Sequence, residues 1–420
     1  MSKQYGRNIA RLMVGSTIAQ AIPVIISPIL TRIYTPADLG VLGLFLALSN
    51  IFGQISNGRY ELAIGLPQDD EDAIHVAAVC LLITCSLSLV LFVLVCCFDR
   101  TFAHWLGNLN IKLWLYFVPL AVLLIGVFQV LNYLSIRMSL FSSVAKANVV
   151  KSVCSAAVQV GLGLLKPGAF GLILGNLFGN AGCIASLFNK LRKETFWKSI
   201  RWRKLKDSAV RYQNFPKFML WSVLFNTLSR NAASIFISSF YSIATLGYYA
   251  LVQRIFALPV SVIATSFSQV YLNAATEERK RTGRAKHAFY YSLKKLLLFV
   301  FPISVFLFFA VEPLIVIVFG AKWAMAGEYA KILIPFFFCQ FVSSALSISA
   351  AVFEKQRISF FIGLSLMVSW FIVMALCYVL RLDVYQFLIL VSTVFSIQYV
   401  IFLMIYWFIV VQPFQECSNA

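Results

Sequence analysis

The stretch RKETFWKSIRWRKLKDSAVRYQ, Arg192 to Gln213, carries eight basic and two acidic residues in a chain that is otherwise mostly apolar. Of the 420 residues, 60% are apolar and only 12% charged, and the mean hydropathy is +0.85. That composition excludes an ordinary soluble domain. Apolar runs long enough to cross a bilayer recur on both sides of the basic stretch. Six fall before it, at 9–30, 39–60, 74–98, 112–135, 144–165 and 169–189. Six follow, at 215–240, 246–271, 288–310, 328–352, 358–380 and 384–411. The fold class expected is therefore an all-α polytopic membrane protein of twelve transmembrane helices. Residues 1–190 form one six-helix bundle, 191–214 a basic cytoplasmic linker, and 215–420 a second bundle.

Counting Lys and Arg in alternate loops orients the chain. With the N-terminus inside, 26 of the 35 fall on the cytoplasmic side, seven outside, and two, Arg230 and Arg254, within spans. This is the positive-inside bias, so the net charge of +19 reads as topology and not as a nucleic-acid footprint. Both termini are expected in the cytoplasm. The polar start MSKQYGRNIAR leads into a run too long for a signal-peptide core, so no cleavable leader is expected. The nine cysteines lack metal spacing and the three histidines form no constellation, so no metal and no cofactor is expected.

The halves carry a faint repeat. IYTPADLGVLGL (Ile33–Leu44) aligns with FYSIATLGYYAL (Phe240–Leu251) at an offset of 207 residues, each joining the first two helices of its half. Two six-helix units in the same orientation, related by a pseudo-two-fold axis along the membrane normal, form a transporter architecture with its site between the units. Polar stripes fit that picture. On a continuous second helix, Asn50, Gln54, Asn57 and Glu61 lie within an arc of about 60°. The seventh carries Ser222, Asn226 and Ser229 beside Arg230. The plain alternative for any one stripe is hydrogen bonding between helices.

Arg230 and Arg254 sit roughly 12–15 Å from the ends of their spans, too deep to snorkel. An arginine at that depth marks a functional site unless an acid pairs with it. None of the sixteen acids is clearly mid-span, and Glu61 comes nearest. Arginines without acids call for an anion, phosphate above all. A cation exporter wants a deep carboxylate and an enzyme wants a carboxylate pair, a nucleophile with its base, or a metal. Neither pattern is present.

The run Asp69-Asp70-Glu71-Asp72 reads first as the start of the third helix, where acids favour the dipole. Its counterpart in the second half is basic, with Arg279, Lys280, Arg281 and Arg284, so the two loops are candidates for a cytoplasmic gate.

Five segments resemble a known family: PILTRIYTPADLG (Pro28–Gly40), GRYELAIGLPQDDEDA (Gly58–Ala73), YQNFPKF (Tyr212–Phe218), LGYYALVQRIFALPVSVI (Leu246–Ile263) and FGAKWAMAGEYAKIL (Phe319–Leu333). They are similar to bacterial Wzx-type polysaccharide (O-antigen) flippases of the multidrug/oligosaccharidyl-lipid/polysaccharide exporter superfamily. The resemblance implies an inner-membrane protein that flips an undecaprenyl-pyrophosphate-linked oligosaccharide outward by alternating access. It further implies pyrophosphate contacts from cavity arginines, with Arg59 and Arg254 at motif positions and Gln253 beside the latter. On an unbroken helix Arg59 points away from the Asn50–Glu61 stripe, so it reaches a cavity only if Gly58 breaks the helix. A polysaccharide polymerase and a chain-length regulator are candidate partners, and coupling to protons or sodium is left open. The alternatives are a cation-coupled drug exporter of the same superfamily and a non-transporting component of polysaccharide assembly.

Overall fold

In the computed structural model, described for residues 2–107, 111–166, 168–191 and 201–412, the described residues are helical with no strand. The first half contains α1 (Ser2–Ile33), α2 (Pro36–Ile55), α3 (Asp70–Trp105), the single turn α4 (Lys112–Leu115), α5 (Val118–Arg137), α6 (Phe141–Leu165) and α7 (Ala169–Leu191). A short α8 (Trp202–Arg211) follows, then α9 (Leu220–Phe240) and α10 (Ile243–Thr282). The chain continues with α11 (Lys286–Phe319), α12 (Ala324–Leu346), the turn α13 (Ser349–Val352), α14 (Gln356–Leu380) and α15 (Val384–Val411).

Each of the twelve expected spans has a helical counterpart. Among the described residues eleven helical segments are long and apolar enough to cross a membrane. The twelfth, α9, has 21 residues but is less apolar, because Asn226, Ser229, Arg230 and Asn231 interrupt it. Residues 192–200 of the linker lie outside the described residues.

Packing divides the chain into two compact units, Met1–Ala250 and Leu251–Ala420. The division falls inside α10, later than the linker, because α8 packs on α3 and α9 packs on α2.

One expectation is corrected. The second helix stops at Ile55 instead of running to residue 60. Gly58 (φ 60°) and Arg59 (φ 66°) turn the backbone left-handed, and a 3-10 turn, Tyr60–Gly65, follows. A helix cannot continue through two such residues. Asn57 and Glu61 therefore leave the stripe started by Asn50 and Gln54. The start of α2 is fixed by a capping box. Thr35 Oγ1 accepts from the Asp38 N–H at 3.2 Å, and the Asp38 carboxylate accepts the Thr35 N–H at 2.9 Å, with Pro36 opening the first turn.

Glycines set how closely helices approach in the first unit. On α7, Gly171, Gly175 and Gly179 repeat every fourth residue. A β-carbon on Gly175 would lie 2.4 Å from Gln159 Cγ, and one on Gly179 would lie 2.7 Å from the Lys151 carbonyl oxygen. Small residues at this spacing let α6 and α7 pack backbone to backbone.

The tightest approach joins the repeated stretches themselves. A β-carbon on Gly40 would lie 1.8 Å from the Ile243 carbonyl oxygen; one on Gly247 would lie 1.8 Å from that of Pro36. Positions 36 and 243, like 40 and 247, are 207 residues apart. The contact is thus reciprocal, as a local two-fold axis between duplicated segments requires.

Because the obstructing atoms are backbone, Gly40→Val or Gly247→Val should cost more than about 3 kcal/mol, beyond ordinary overpacking. Gly65→Ala, whose β-carbon meets nothing within 4 Å, should be neutral. Thermal unfolding and membrane yield of the three variants check this.

Candidate functional site

The turn that ends α2 brings Arg59 and Glu61 together. Arg59 Nη1 lies 2.9 Å from Glu61 Oε1, and the Glu61 side chain is 1% exposed. Burial pushes the Glu61 carboxyl up, and the Arg59 guanidinium pulls it partly back. The helix break that Arg59 needed to turn toward the stripe is present, but its charge is already matched by a carboxylate.

Asn57 is placed as a structural residue. It is buried, its amide donates to the Gly126 carbonyl (3.2 Å) and to Gln129 Oε1 (2.9 Å), and its Oδ1 accepts from Thr84 Oγ1 (2.5 Å). It ties the broken end of α2 to α3 and α5. Ser152 and Gln159 on α6 likewise bond to the Ala19 and Leu172 carbonyls (2.6 and 3.3 Å). For these positions the bonding between helices accounts for the polar side chain.

Other positions remain open. Asn50 on α2 and Asn226 and Arg230 on α9 are exposed, and Gln54 is half-buried. These two helices pack on each other within the first unit. Arg230 is the eleventh of the 21 residues of α9, about 15 Å from either end at 1.5 Å per residue. Among the described residues it has no acid partner. An exposed guanidinium at mid-helix is tolerated where water reaches it and is expensive against lipid.

In the second unit Arg254, the twelfth residue of α10, is half-buried with no hydrogen bond or ion pair among the described residues, and Gln253 beside it is half-buried.

Sequence reasoning missed two cations. Lys151, counted with the cytoplasmic charges, is the eleventh residue of the 25 in α6. Its ammonium sits 5.4 Å from the centroid of the Phe128 ring, and no acid pairs with it among the described residues. The signal was available, since Lys151 lies ten positions beyond Phe141 in a run without a helix breaker. Arg137, at the end of α5, clamps the chain between the 3-10 turn and α3. It donates to the carbonyls of Ile64 (3.0 Å), Pro67 (2.9 Å) and Gln68 (3.2 Å) and to Asp70 Oδ1 (2.8 Å). Nothing local in the sequence announces that fourfold role.

The acidic run begins α3, with Asp69 at the N-cap position but making no side-chain cap bond. Glu71 and Asp72 face Lys204 of α8 at 2.8 and 3.8 Å. In the other unit Arg279 pairs with Glu354 (3.0 Å) and donates to the Val352 carbonyl, while Arg281 pairs with Glu277 (2.6 Å). Lys280 and Arg284 are exposed. Among the described residues no His, Cys, Asp or Glu group has the makings of a metal site.

A family described as polysaccharide biosynthesis protein matches residues 29–328. No curated protein matches the sequence. Solved structures share the fold at low identity. "Lipid II flippase MurJ, inward closed conformation" aligns with a TM-score of 0.74 at 13% identity, over 96% of this chain and 87% of that one. An inward-facing multidrug resistance MATE family transporter of the MOP superfamily gives 0.59 at 14%, over 96% of both chains. A MOP superfamily transporter from Pyrococcus furiosus gives 0.58 at 14%, over 96% and 94%. The fold is thus that of two-lobe transporters and flippases, and the chain is a multi-pass membrane protein.

Removing one partner of the buried pair isolates its cost. Arg59→Ala strands the Glu61 carboxylate and should destabilise the protein by about 3 kcal/mol, whereas Arg59→Ala with Glu61→Gln should recover most of that loss. Thermal unfolding in detergent compares the two. Equal losses would show that the pair does not act as one.

Proposed function

Since the chain belongs to the polysaccharide biosynthesis protein family, we propose that it flips an undecaprenyl-pyrophosphate-linked oligosaccharide across the bacterial inner membrane. The observation that carries this reading is the pair of arginines, Arg230 and Arg254, eleven and twelve residues into their helices and without an acid partner among the described residues. Each is built to receive a phosphate bidentately. Lys151, eleven residues into α6, adds a third cation without an acid partner among the described residues, as a point charge without the fork. Arg59 serves as a switchable one, because a pyrophosphate reaching it competes with Glu61.

Transport then proceeds by alternating access. In the inward-open state the cations draw in the pyrophosphate, and the exposed Asn50 and Asn226 and the half-buried Gln54 and Gln253 bond to glycan hydroxyls. Outward movement of an anion runs with an inside-negative potential, which contributes ~2.3 kcal/mol per charge per 100 mV. Both termini lie in the cytoplasm on this reading, and a polymerase and chain-length regulator receive the product outside. The acidic loop Asp69–Asp72 and the basic residues Arg279, Lys280, Arg281 and Arg284 are on this reading the candidates for a cytoplasmic gate. Closing it requires Asp70, Glu71 and Arg279 to exchange their present partners, so the gate's contribution is small, as exposed pairs are.

The double variant Arg230→Ala, Arg254→Ala should abolish surface polysaccharide at unchanged membrane abundance. Lys at both positions should restore part, since it keeps charge but loses the fork. Normal export by the double alanine variant contradicts the reading; so does its replacement by protection against cationic drugs in an efflux-deficient host.

A further inference from the structure

The short helix α8 has two unlike sides. On the inner side Leu205 is buried in the core of the first unit, with residues of α3 and α7. Lys204 pairs with Glu71 and Asp72, the Arg201 N–H donates to His75 Nε2 (3.3 Å), and the Tyr60 hydroxyl donates to the Ala209 carbonyl (2.9 Å). These contacts run from one end of α8 to the other, and all reach the end of the first unit where α3 begins. The apolar run of α3 starts directly after them, at Ala73. That places α8 at the level where hydrocarbon gives way to headgroups.

The outer side is built differently. At 100° per residue Trp202, Lys206, Val210 and Arg203 fall within an arc of about 100°, with Asp207 and Arg211 at its edge. Trp202 is 78% exposed and Val210 57%. Arg203 and Lys206 are exposed too, and neither has an acid partner among the described residues. The chain then enters α9 through a second exposed apolar stripe, Phe218, Trp221 and Phe225.

Basic and apolar side chains interleaved on one exposed face match a surface that offers phosphate and hydrocarbon together. We propose that the outer face of α8 docks on the adjoining leaflet and binds the headgroups of anionic phospholipids. Arg203 and Lys206 meet the phosphates, while Trp202 and Val210 enter the boundary between headgroups and acyl chains, where tryptophan is favoured. An acidic protein would match the two charges but leave Trp202 and Val210 against polar groups. A zwitterionic leaflet would cover those two and leave the charges unmatched. The charge bias assigns this side to the cytoplasm, the side on which a membrane carries its negative surface potential. Each basic residue near such a surface contributes about fivefold in affinity. Two of them select anionic over zwitterionic lipid by roughly 25-fold in dilute salt, and by less as salt screens them. This site is separate from the one proposed for the transported substrate.

The test reads Trp202 in the full chain in phosphatidylcholine nanodiscs, as the fluorescence difference between wild type and Trp202→Phe. Brominated phosphatidylglycerol and brominated phosphatidylcholine are titrated separately as quenchers. Phosphatidylglycerol should half-quench the Trp202 signal at a mole fraction on the order of tenfold lower than phosphatidylcholine, and added salt should narrow the gap. With Arg203→Gln and Lys206→Gln together, measured with and without Trp202, the two lipids should quench alike. Equal quenching in wild type overturns headgroup recognition, as does a gap in wild type that salt leaves unchanged. A preference that survives the double glutamine variant assigns it to other charges and overturns this site. A Trp202 signal that neither lipid quenches places the face in water, open to an acidic protein, and overturns the docking outright.

Discussion

The backbone contact between Gly40 and Gly247 is the constraint on which the first unit depends. Two helices meet there with no side chain between them, and the obstruction on each side is the other's carbonyl oxygen. Only glycine permits that distance. The contact fixes where α2 and α10 start, and both helices carry site residues further along: Asn50 and the Arg59–Glu61 turn on one chain segment, Arg254 on the other. Its reciprocity, at an offset of 207 residues, makes the duplication visible as packing and not only as a faint alignment.

A second constraint sorts the charges. In apolar surroundings a charge is neutralised by a partner or faces water or a ligand. Arg59 takes the first course through Glu61, as does Arg137 through Asp70 and three carbonyls. Lys151, Arg230 and Arg254 have no acid partner among the described residues. The same sorting separates Asn57, whose amide is fully engaged, from the exposed Asn50 and Asn226.

Much of the fold was legible because hydropathy and charge bias act over whole helices. The twelve apolar runs, the interruption of α9 by Arg230 and the depth of Arg254 all follow from counting residues. What escaped was local backbone geometry. Gly58 signals a break only weakly, and Arg59 adopting φ 66° is not encoded in its side chain. That single break removed Asn57 and Glu61 from a stripe drawn on a continuous helix, and it paired Arg59 with the one acid near it. Long-range contacts escaped for a different reason. The Lys204–Glu71 pair and the Arg137 clamp join positions more than sixty residues apart, and no periodicity reports them.

The central claim is that this chain carries a pyrophosphate-linked glycan lipid through a cationic path. Its most direct measurement is transbilayer movement of a fluorescent oligosaccharyl-pyrophosphoryl-polyprenol in proteoliposomes, read by access of a membrane-impermeant quencher. The account predicts movement well above that of protein-free vesicles, inhibited by an unlabelled pyrophosphate-linked lipid and not by a neutral glycolipid with the same sugar. Movement no faster than in protein-free vesicles, or equal inhibition by the neutral lipid, would contradict it.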